Sequence, residues 1–261
     1  MPASHLTHLL RSPSVEDNKY TRGVVGFVTG SEAYPGAALL GVSAAARTGI
    51  GMIRYVGPES VSKLVIESRP ECVLGTGKVD AWVVGSGISG DDSEQVENLR
   101  SALSDDKPKV IDAGALTIVD YTKLSPLCAI LTPHAGELAR LLDSFGRHFE
   151  LDYEAVQAAA AMTRQIVILK GNTSLIAHPN GEVIAVGPNS TALATAGTGD
   201  VLAGVIGAIL AANPLADLVE VAELAILIHS DAARRASVSG PVVAMDVVDA
   251  LRAVVQDWRN S

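Results

Sequence analysis

The chain has 261 residues and a formal net charge of −9 at pH 7, and its lysines and arginines are scattered. This distribution argues against nucleic-acid binding, which needs a basic surface. The N-terminal residues lack the basic and apolar regions of a signal peptide, and no apolar segment is long enough to span a membrane. Two cysteines, Cys72 and Cys128, are typical of reduced thiols. We therefore expect a cytoplasmic protein that binds small molecules.

Short apolar strands alternate with helices along the chain, and no linker or repeat divides it. This alternation predicts a single α/β domain over residues 1–261, in which helices cover both faces of a largely parallel sheet. An Asn-Gly turn at 180–181 predicts a hairpin. We expect residues 1–20 to form a peripheral extension. The predicted strands are 24–29, 51–56, 81–84, 109–111, 128–131, 166–169, 175–177 and 183–186, and the predicted helices are about 34–47, 58–66, 94–103, 151–164, 201–212, 217–237 and 245–258.

Several predicted strands are followed directly by polar residues. Because parallel strands present their carboxyl ends at one edge of the sheet, we expect four side chains to collect there. They are Asp112, His134, Lys170 and Asp200. Thr132 and Pro133 are typical of a helix N-cap and first helical position. His134 and Glu137 are three residues apart and would share a helix face, either as a functional pair or as a solvated surface pair.

The most informative stretch is AGTGD at residues 196–200, which runs into the apolar helix predicted at 201–212. Its two glycines, Gly197 and Gly199, can adopt positive φ and bring backbone N–H groups to a common point. The following helix N-terminus would stabilise an anion. Asp200 is then either the N-cap of this helix or a general base that accepts a proton from a substrate hydroxyl.

A second glycine-rich loop, GSGISG at residues 85–90, follows a predicted buried strand. Its spacing does not match a dinucleotide-binding fingerprint. The pattern favours an ordinary strand-to-helix turn over a ligand contact, although such loops do hold ligands in open α/β sheets.

Seven segments together resemble one known family. They are GSEAYPGAALL (30–40), ARTGIGMIR (46–54), VVGSGISG (83–90), VIDAGAL (110–116), ILTPHAGELARLL (130–142), VILKGNTSLIA (167–177) and NSTALATAGTGDVLAGVIGAILA (189–211). In this order they resemble the ADP/ATP-dependent NAD(P)H-hydrate dehydratases of the ribokinase-like superfamily. AGTGD is typical of the whole superfamily, whereas TPHAGE, LKGNTS and YPGAA are more specific. The resemblance implies a three-layer ribokinase-like sandwich.

The resemblance also implies a function. Members of the family dehydrate the S epimer of hydrated NADH and NADPH, and they couple this reaction to cleavage of ADP or ATP through a phosphorylated intermediate. Asp200 would be the catalytic base, and Mg²⁺ would bridge the nucleotide phosphates. The implied contacts are Ala37, Ala38, Gly87, His134 and Asp200 for the hydrate, Lys170, Gly171, Asn172, Thr173, Ser174 and Gly199 for the nucleotide, Gly197, Thr198 and Gly199 for an anion hole, and Glu137 for the water shell of the metal.

Two positions differ from the usual family pattern. Gly114 stands where the family usually has Asp, and Ser86 stands where it usually has Pro. Many bacterial relatives also carry an epimerase domain before this one, whereas only about twenty residues precede the first predicted strand. We therefore expect a stand-alone dehydratase that works with a separate epimerase. The resemblance also implies ADP dependence and a homotetramer, although burial within one subunit explains the apolar helices equally well.

Two other functions use the same motifs. A kinase of this fold that acts on a vitamin-precursor alcohol would share the anion hole and the base, but it would leave a stable phosphate ester. A non-catalytic module that senses nucleotides would have no use for a base at Asp200.

Overall fold

The computed structural model describes residues 4–150 and 153–261. Within these residues nine strands form one sheet in the order β3-β2-β1-β4-β5-β6-β7-β8-β9. Neighbouring strands are parallel from β3 through β7, and β8 and β9 add an antiparallel hairpin at the predicted Asn-Gly turn. The strands are β1 (Val24–Val28), β2 (Met52–Tyr55), β3 (Val73–Leu74), β4 (Ala81–Val84), β5 (Lys109–Ile111), β6 (Ala129–Leu131), β7 (Ile166–Leu169), β8 (Ser174–Ala177) and β9 (Val183–Val186).

Helices cover both faces of this sheet. Because side chains alternate along a strand, Val83 packs into one hydrophobic cluster and Val84 into the other. The first cluster contains residues of α1, α2, α7, α8 and α9, and the second contains residues of α3 to α6. The helices are α1 (Pro35–Thr48), α2 (Glu59–Ser68), α3 (Ser93–Ser104), α4 (Ala115–Ile118), α5 (Ala135–Ser144), α6 (Tyr153–Thr163), α7 (Thr198–Ala212), α8 (Leu218–Ser237) and α9 (Ala244–Arg259). The predicted three-layer α/β sandwich is confirmed.

Helix α7 is buried along nearly its whole length and sets the position of the candidate site. Two of its glycines allow close approach to neighbouring elements. A β-carbon at Gly204 would overlap the carbonyl oxygen of Gly41 in α1, and one at Gly207 would overlap a methyl group of Val83 in β4. The close packing fixes the N-terminus of α7 at the carboxyl edge of the sheet.

Residues 11–20 are mostly exposed, as expected of a peripheral extension, but the segment before them packs into the core. Leu6, Leu9 and Leu10 are buried in the first hydrophobic cluster. Asn213 Nδ2 donates to the Leu9 carbonyl at 2.9 Å, and Arg259 Nε donates to the Leu10 carbonyl at 3.1 Å. The three leucines therefore belong to the core, whereas His8 between them is exposed. Residues 1–3 lie outside the described part of the chain.

Other differences concern short elements and helix ends. Strand β3 and helix α4 were not predicted, and the described residues also form 3-10 helices at Ser4–Leu9, Tyr121–Lys123 and Thr191–Leu193. The helix predicted at 151–164 is observed from Tyr153 to Thr163, and residues 151–152 are not described. In the described ranges, every helix is too short or too polar to cross a membrane.

Candidate active site

The carboxyl edge of the sheet brings together the polar residues that follow its strands. Asp112 follows β5, Lys170 follows β7, and His134 lies after β6. The Lys170 amide donates to the Pro133 carbonyl at 2.9 Å, which joins the last two segments. Asp200 reaches the same edge from the first turn of α7. The predicted meeting is therefore present for Asp112, Lys170 and Asp200, whereas His134 joins this edge through its backbone next to Lys170.

Asp112 is the buried centre of this cluster, with 1% of its surface exposed. Its Oδ1 accepts from Thr132 Oγ1 at 2.7 Å and from Lys170 Nζ at 2.9 Å, and its Oδ2 accepts from Ser86 Oγ at 2.8 Å. Burial alone would raise the pKa of Asp112, but the Lys170 charge and the three hydrogen bonds outweigh it and lower the pKa. Asp112 is therefore a permanent carboxylate at neutral pH.

Lys170 is held between two carboxylates. Its Nζ lies 2.9 Å from Asp112 Oδ1 and 3.7 Å from Glu137 Oε2. Burial tends to lower the pKa of Lys170, but the negative charges of Asp112, Glu137 and Asp200 raise it above its usual value. The ammonium group therefore stays charged and is available to an anionic ligand in the adjoining cavity.

The AGTGD turn begins α7 earlier than predicted. Gly197, with φ of +88°, occupies the N-cap position, and a β-carbon there would lie 2.5 Å from Leu40 Cδ1. Gly199 lies inside the helix, so only one of the two glycines uses positive φ. Asp200 is the third residue of α7. The N-cap interpretation of Asp200 is therefore wrong, because Gly197, in the left-handed conformation, occupies the N-cap position.

Asp200 has the perturbed ionisation expected of a general base. Burial, and next the charge of Asp112, raise the pKa of Asp200 to about 7. The charge of Lys170 and the nearby Ser86 hydroxyl act in the opposite direction, and Glu137 adds a smaller increase. A carboxyl group with a pKa near neutrality can both take up and release a proton under working conditions.

The start of α5 also differs from the prediction. His134, rather than Thr132, is the N-cap: its Nδ1 accepts from the Gly136 amide at 3.0 Å, while Glu137 Oε2 accepts from the His134 amide at 2.8 Å. Thr132 instead donates to Asp112. The His134 side chain is half exposed, but that of Glu137 is only 12% exposed. The solvated-pair interpretation therefore does not fit Glu137.

A cavity of about 450 Å³ opens beside this cluster. Its lining is polar near Lys170 and Gly199 and apolar near Leu202 and Ile226. Most of the predicted nucleotide-binding residues line it, but Thr173 does not. The lining residues are Lys170, Gly171, Asn172, Ser174, Asn189, Ser190, Thr191, Leu193, Ala194, Thr198, Gly199, Leu202, Ile226 and His229.

His229 is a lining residue that sequence reasoning missed. It lies on α8 and is 6% exposed, and its Nε2 has no hydrogen-bond partner among the described residues. Burial lowers the pKa of His229 to about 4, against the effect of the Thr198 backbone, so the ring is neutral at pH 7. A single histidine in an apolar helix gives no sequence signal for this position.

Two of the predicted substrate-binding residues, Ala37 and Gly87, lie close together. Gly87 has φ of +70°, and a β-carbon there would lie 2.7 Å from Ala37 Cβ, so the glycine loop touches the start of α1. Ala38 is fully buried, and its side chain does not face an open surface. A β-carbon at Gly114 would overlap the Ile88 carbonyl oxygen. This contact explains why the Asp of the usual family pattern would not fit at Gly114.

Comparison with known proteins agrees with this geometry. A family model described as NAD(P)H-hydrate dehydratase matches residues 25–255. The ADP-dependent (S)-NAD(P)H-hydrate dehydratase of Neisseria meningitidis is 35% identical over 227 residues, which cover 80% of this chain and 76% of that protein. The bifunctional NAD(P)H-hydrate repair enzyme Nnr of Mycobacterium leprae is 40% identical over 210 residues, or 77% of this chain and 43% of that protein. The chain thus spans less than half the length of that relative.

A solved structure of a dehydratase has the same fold as this chain. The ADP/ATP-dependent NAD(P)H-hydrate dehydratase of Bacillus subtilis, co-crystallised with ATP and Mg²⁺, superposes with a TM-score of 0.84 at 28% identity, over 97% of this chain and 96% of that chain. A ribokinase-like superfamily protein of Enterococcus faecalis superposes with a TM-score of 0.80 at 22% identity, over 98% of this chain and 95% of that chain, which confirms the ribokinase-like fold. Because the family model matches residues 25–255, which are most of the sequence, this chain belongs to the NAD(P)H-hydrate dehydratase family.

Proposed function

We propose that this chain dehydrates the S epimer of hydrated NADH or NADPH and couples the reaction to cleavage of ADP. The observation that carries the proposal is the position of Asp200, a carboxyl group with a pKa of about 7 in the first turn of α7, beside the cavity that Lys170 lines. ADP rather than ATP is our preferred donor, in line with the name of the Neisseria relative.

We propose that the cavity takes the adenine nucleotide. Its apolar part, near Leu202 and Ile226, suits a purine base, and the ammonium group of Lys170 suits a phosphate. The pairing with Asp112 keeps Lys170 charged and in a fixed place. The free N–H groups at the start of α7 add the positive end of the helix dipole. The terminal phosphate would then lie at the N-terminus of α7, next to Asp200.

The chemistry proceeds in two stages. Asp200 accepts the proton of the ring hydroxyl while that oxygen attacks the terminal phosphorus, and the nucleotide leaves with one phosphate fewer. The amides of residues 197–200 stabilise the charge on the transferring phosphoryl group. The C–O bond then breaks, and phosphate, a far better leaving group than hydroxide, departs with the bonding electrons. The ring nitrogen lone pair assists this departure, and loss of a proton from the adjacent ring carbon restores the double bond.

Magnesium is proposed to arrive with the nucleotide. Among the described residues, no group of three or more His, Cys, Asp or Glu side chains is arranged to hold a metal. Glu137 Oε2 accepts from the His134 amide and lies 3.7 Å from Lys170 Nζ, so this oxygen already has two partners. Mg²⁺ in nucleotide sites commonly keeps several waters and binds through the phosphates. The prediction for Glu137 therefore stays limited to contact with the water shell.

Three further predictions concern the setting of the enzyme. We propose that it works in the cytoplasm, that it forms a homotetramer, and that a separate epimerase converts the other epimer of the hydrate. Light scattering of the purified protein tests the tetramer. Addition of an epimerase to a racemic hydrate should take the reaction to completion, and consumption of both epimers by this chain alone would contradict the need for a partner.

The direct test follows absorbance at 340 nm with hydrated NADH, Mg²⁺ and either ADP or ATP. A nucleotide-dependent rise means that the dihydronicotinamide chromophore has been restored, and it identifies the phosphate donor. No rise with stoichiometric protein and either nucleotide would contradict the proposal. A stable phosphate ester formed from a small alcohol would favour the kinase alternative, and nucleotide binding without any turnover would favour the sensing module.

A substitution at Gly199 tests the location of the nucleotide. A β-carbon at Gly199 would lie 3.3 Å from Lys170 Nζ, so the larger side chain of Gly199→Val would fill the phosphate end of the cavity. We expect the Kd for ADP, measured by calorimetry, to rise at least about tenfold, the effect of losing about 1.4 kcal/mol. Gly90→Val is the control, because Gly90 has no atoms near its β-carbon position. Equal ADP affinity in both variants would place the nucleotide elsewhere.

A further inference from the structure

His229 is a buried polar residue in the wall of the cavity beside Lys170. It is 6% exposed, and its Nε2 has no hydrogen-bond partner in residues 4–150 and 153–261. Buried polar groups are normally hydrogen-bonded, because an unpaired one costs stability. A molecule that fills the cavity can supply the missing partner. His229 is therefore a candidate contact for the ligand.

Helix α8 places His229 between the two ends of the cavity. Ile226 and His229 both line the cavity, and their spacing of three residues puts them on one face of α8, about 4.5 Å apart along its axis. Ile226 belongs to the apolar end, together with Leu202. Burial lowers the pKa of His229, and the charge of Lys170 at the polar end adds to this effect. The ring thus lies near the middle, about one helical turn from the apolar end and within the field of the polar end.

The next residue of α8 is bonded to a loop that also lines the cavity. Ser230 Oγ accepts from the Ser190 amide at 2.9 Å, and Ser190 and Thr191 line the cavity with His229. Because this hydrogen bond joins α8 to the loop, the fold itself sets the position of His229 in the cavity wall.

The neutral ring of His229 suits a hydroxyl group better than a phosphate. Its pKa of about 4 leaves the imidazole uncharged at pH 7. A neutral imidazole has one N–H donor and one acceptor nitrogen, and a hydroxyl group can both donate and accept, so either tautomer can form the bond. A phosphate needs positive charge, which Lys170 already supplies in the same cavity.

We propose that the His229 imidazole hydrogen-bonds a ribose hydroxyl of the bound nucleotide and so favours ribonucleotides over deoxyribonucleotides. The proposal rests on the proposed function, in which the cavity holds ADP with its base near Leu202 and Ile226 and its phosphates near Lys170. The ribose joins the base to the phosphates and would lie in the middle of the cavity, beside His229. The hydroxyl would thus meet a polar side chain in an otherwise apolar part of α8.

Calorimetry of ADP, 2′-deoxy-ADP and 3′-deoxy-ADP binding, with Mg²⁺ present, tests the proposal in wild type, His229→Phe and His229→Gln. Wild type should bind one deoxynucleotide about three- to tenfold more weakly than ADP, the effect of losing one hydrogen bond. His229→Phe keeps a ring but no polar atom, so its affinities for ADP and that deoxynucleotide should differ by less than about twofold. His229→Gln keeps a polar group and should keep the preference.

Ile226→Ala is the matched control, because Ile226 lies on the same face of α8 at the apolar end. It should weaken ADP and the deoxynucleotide by the same factor. Equal affinity of wild type for all three nucleotides overturns the proposal, as does a preference that survives in His229→Phe or disappears equally in Ile226→Ala. A purely structural role of His229 would weaken every nucleotide alike and leave the preference unchanged.

The binding measurement needs no turnover, so it separates this inference from the proposed dehydration. A ribose preference that depends on His229 in a protein without dehydratase activity upholds the inference while the proposed function fails. Dehydratase activity without a ribose preference has the opposite meaning. Absence of ADP binding by wild type overturns both.

Discussion

Replacement of Asp200 by asparagine is expected to lower kcat about 1,000-fold while the Kd for ADP changes less than about threefold. The loss corresponds to removal of a general base, whose contribution is typically 10²–10⁴-fold. Asparagine keeps the shape of the side chain, and the N-cap of α7 is Gly197 rather than Asp200, so the helix start is preserved. Single-turnover kinetics at 340 nm and calorimetry of ADP binding measure the two quantities separately.

The thermal stability of Asp200→Asn provides the control for folding. Burial raises the pKa of Asp200 above its unfolded value, so the folded protein binds this proton more tightly than the unfolded chain does. The group therefore favours the folded state at low pH and loses this contribution as the pH rises through about 7. At pH 8 the asparagine variant should melt no lower than wild type. Activity that survives in a folded Asp200→Asn would contradict the proposed mechanism.

The layered fold could be predicted because its longer elements carry a clear hydrophobic pattern. Strands such as β4 and β7 are continuous apolar runs, and the hairpin of β8 and β9 has an Asn-Gly turn. Strand β3 has two residues and helix α4 has four, which is too short for any periodicity to be visible. The leucines of residues 6–10 were misjudged because isolated apolar residues in a polar segment do not reveal which surface they cover.

The candidate site could be predicted only where residue type and strand ends together determine position. Lys170 and Asp112 follow parallel strands, so their meeting at one edge follows from topology. The partner of Thr132 could not be predicted, because cap preference and a buried hydrogen bond to Asp112 favour the same residue type. His229 could not be predicted either, since its place in the cavity depends on how α8 packs against α7. A residue type that favours the N-cap position can therefore form a tertiary hydrogen bond instead, as Thr132 does.

Replacement of Asp112 by asparagine is expected to destabilise the protein by about 3–5 kcal/mol at pH 7. The change removes the negative partner of a buried ion pair and leaves the Lys170 ammonium with Glu137 at 3.7 Å as its nearest remaining carboxylate. Ser86 and Thr132, which both donate to the carboxylate in wild type, also lose a charged acceptor. Urea unfolding and thermal melts of the two proteins measure the difference.

The pH dependence of this difference separates the ion pair from simple packing. The pKa of Asp112 is lowered in the folded state, so its contribution is present above the unfolded pKa of about 3.9 and is lost as the pH falls through the folded value. Wild type should therefore approach the stability of Asp112→Asn in acid, whereas a packing defect would persist at every pH. Asp249→Asn is the matched control: Asp249 is exposed and 4.0 Å from Arg47, and its loss should cost less than about 0.5 kcal/mol. Equal melting of Asp112→Asn and wild type at pH 7 would mean that the pair contributes no net stability, and Lys170 would then need another source for its fixed position.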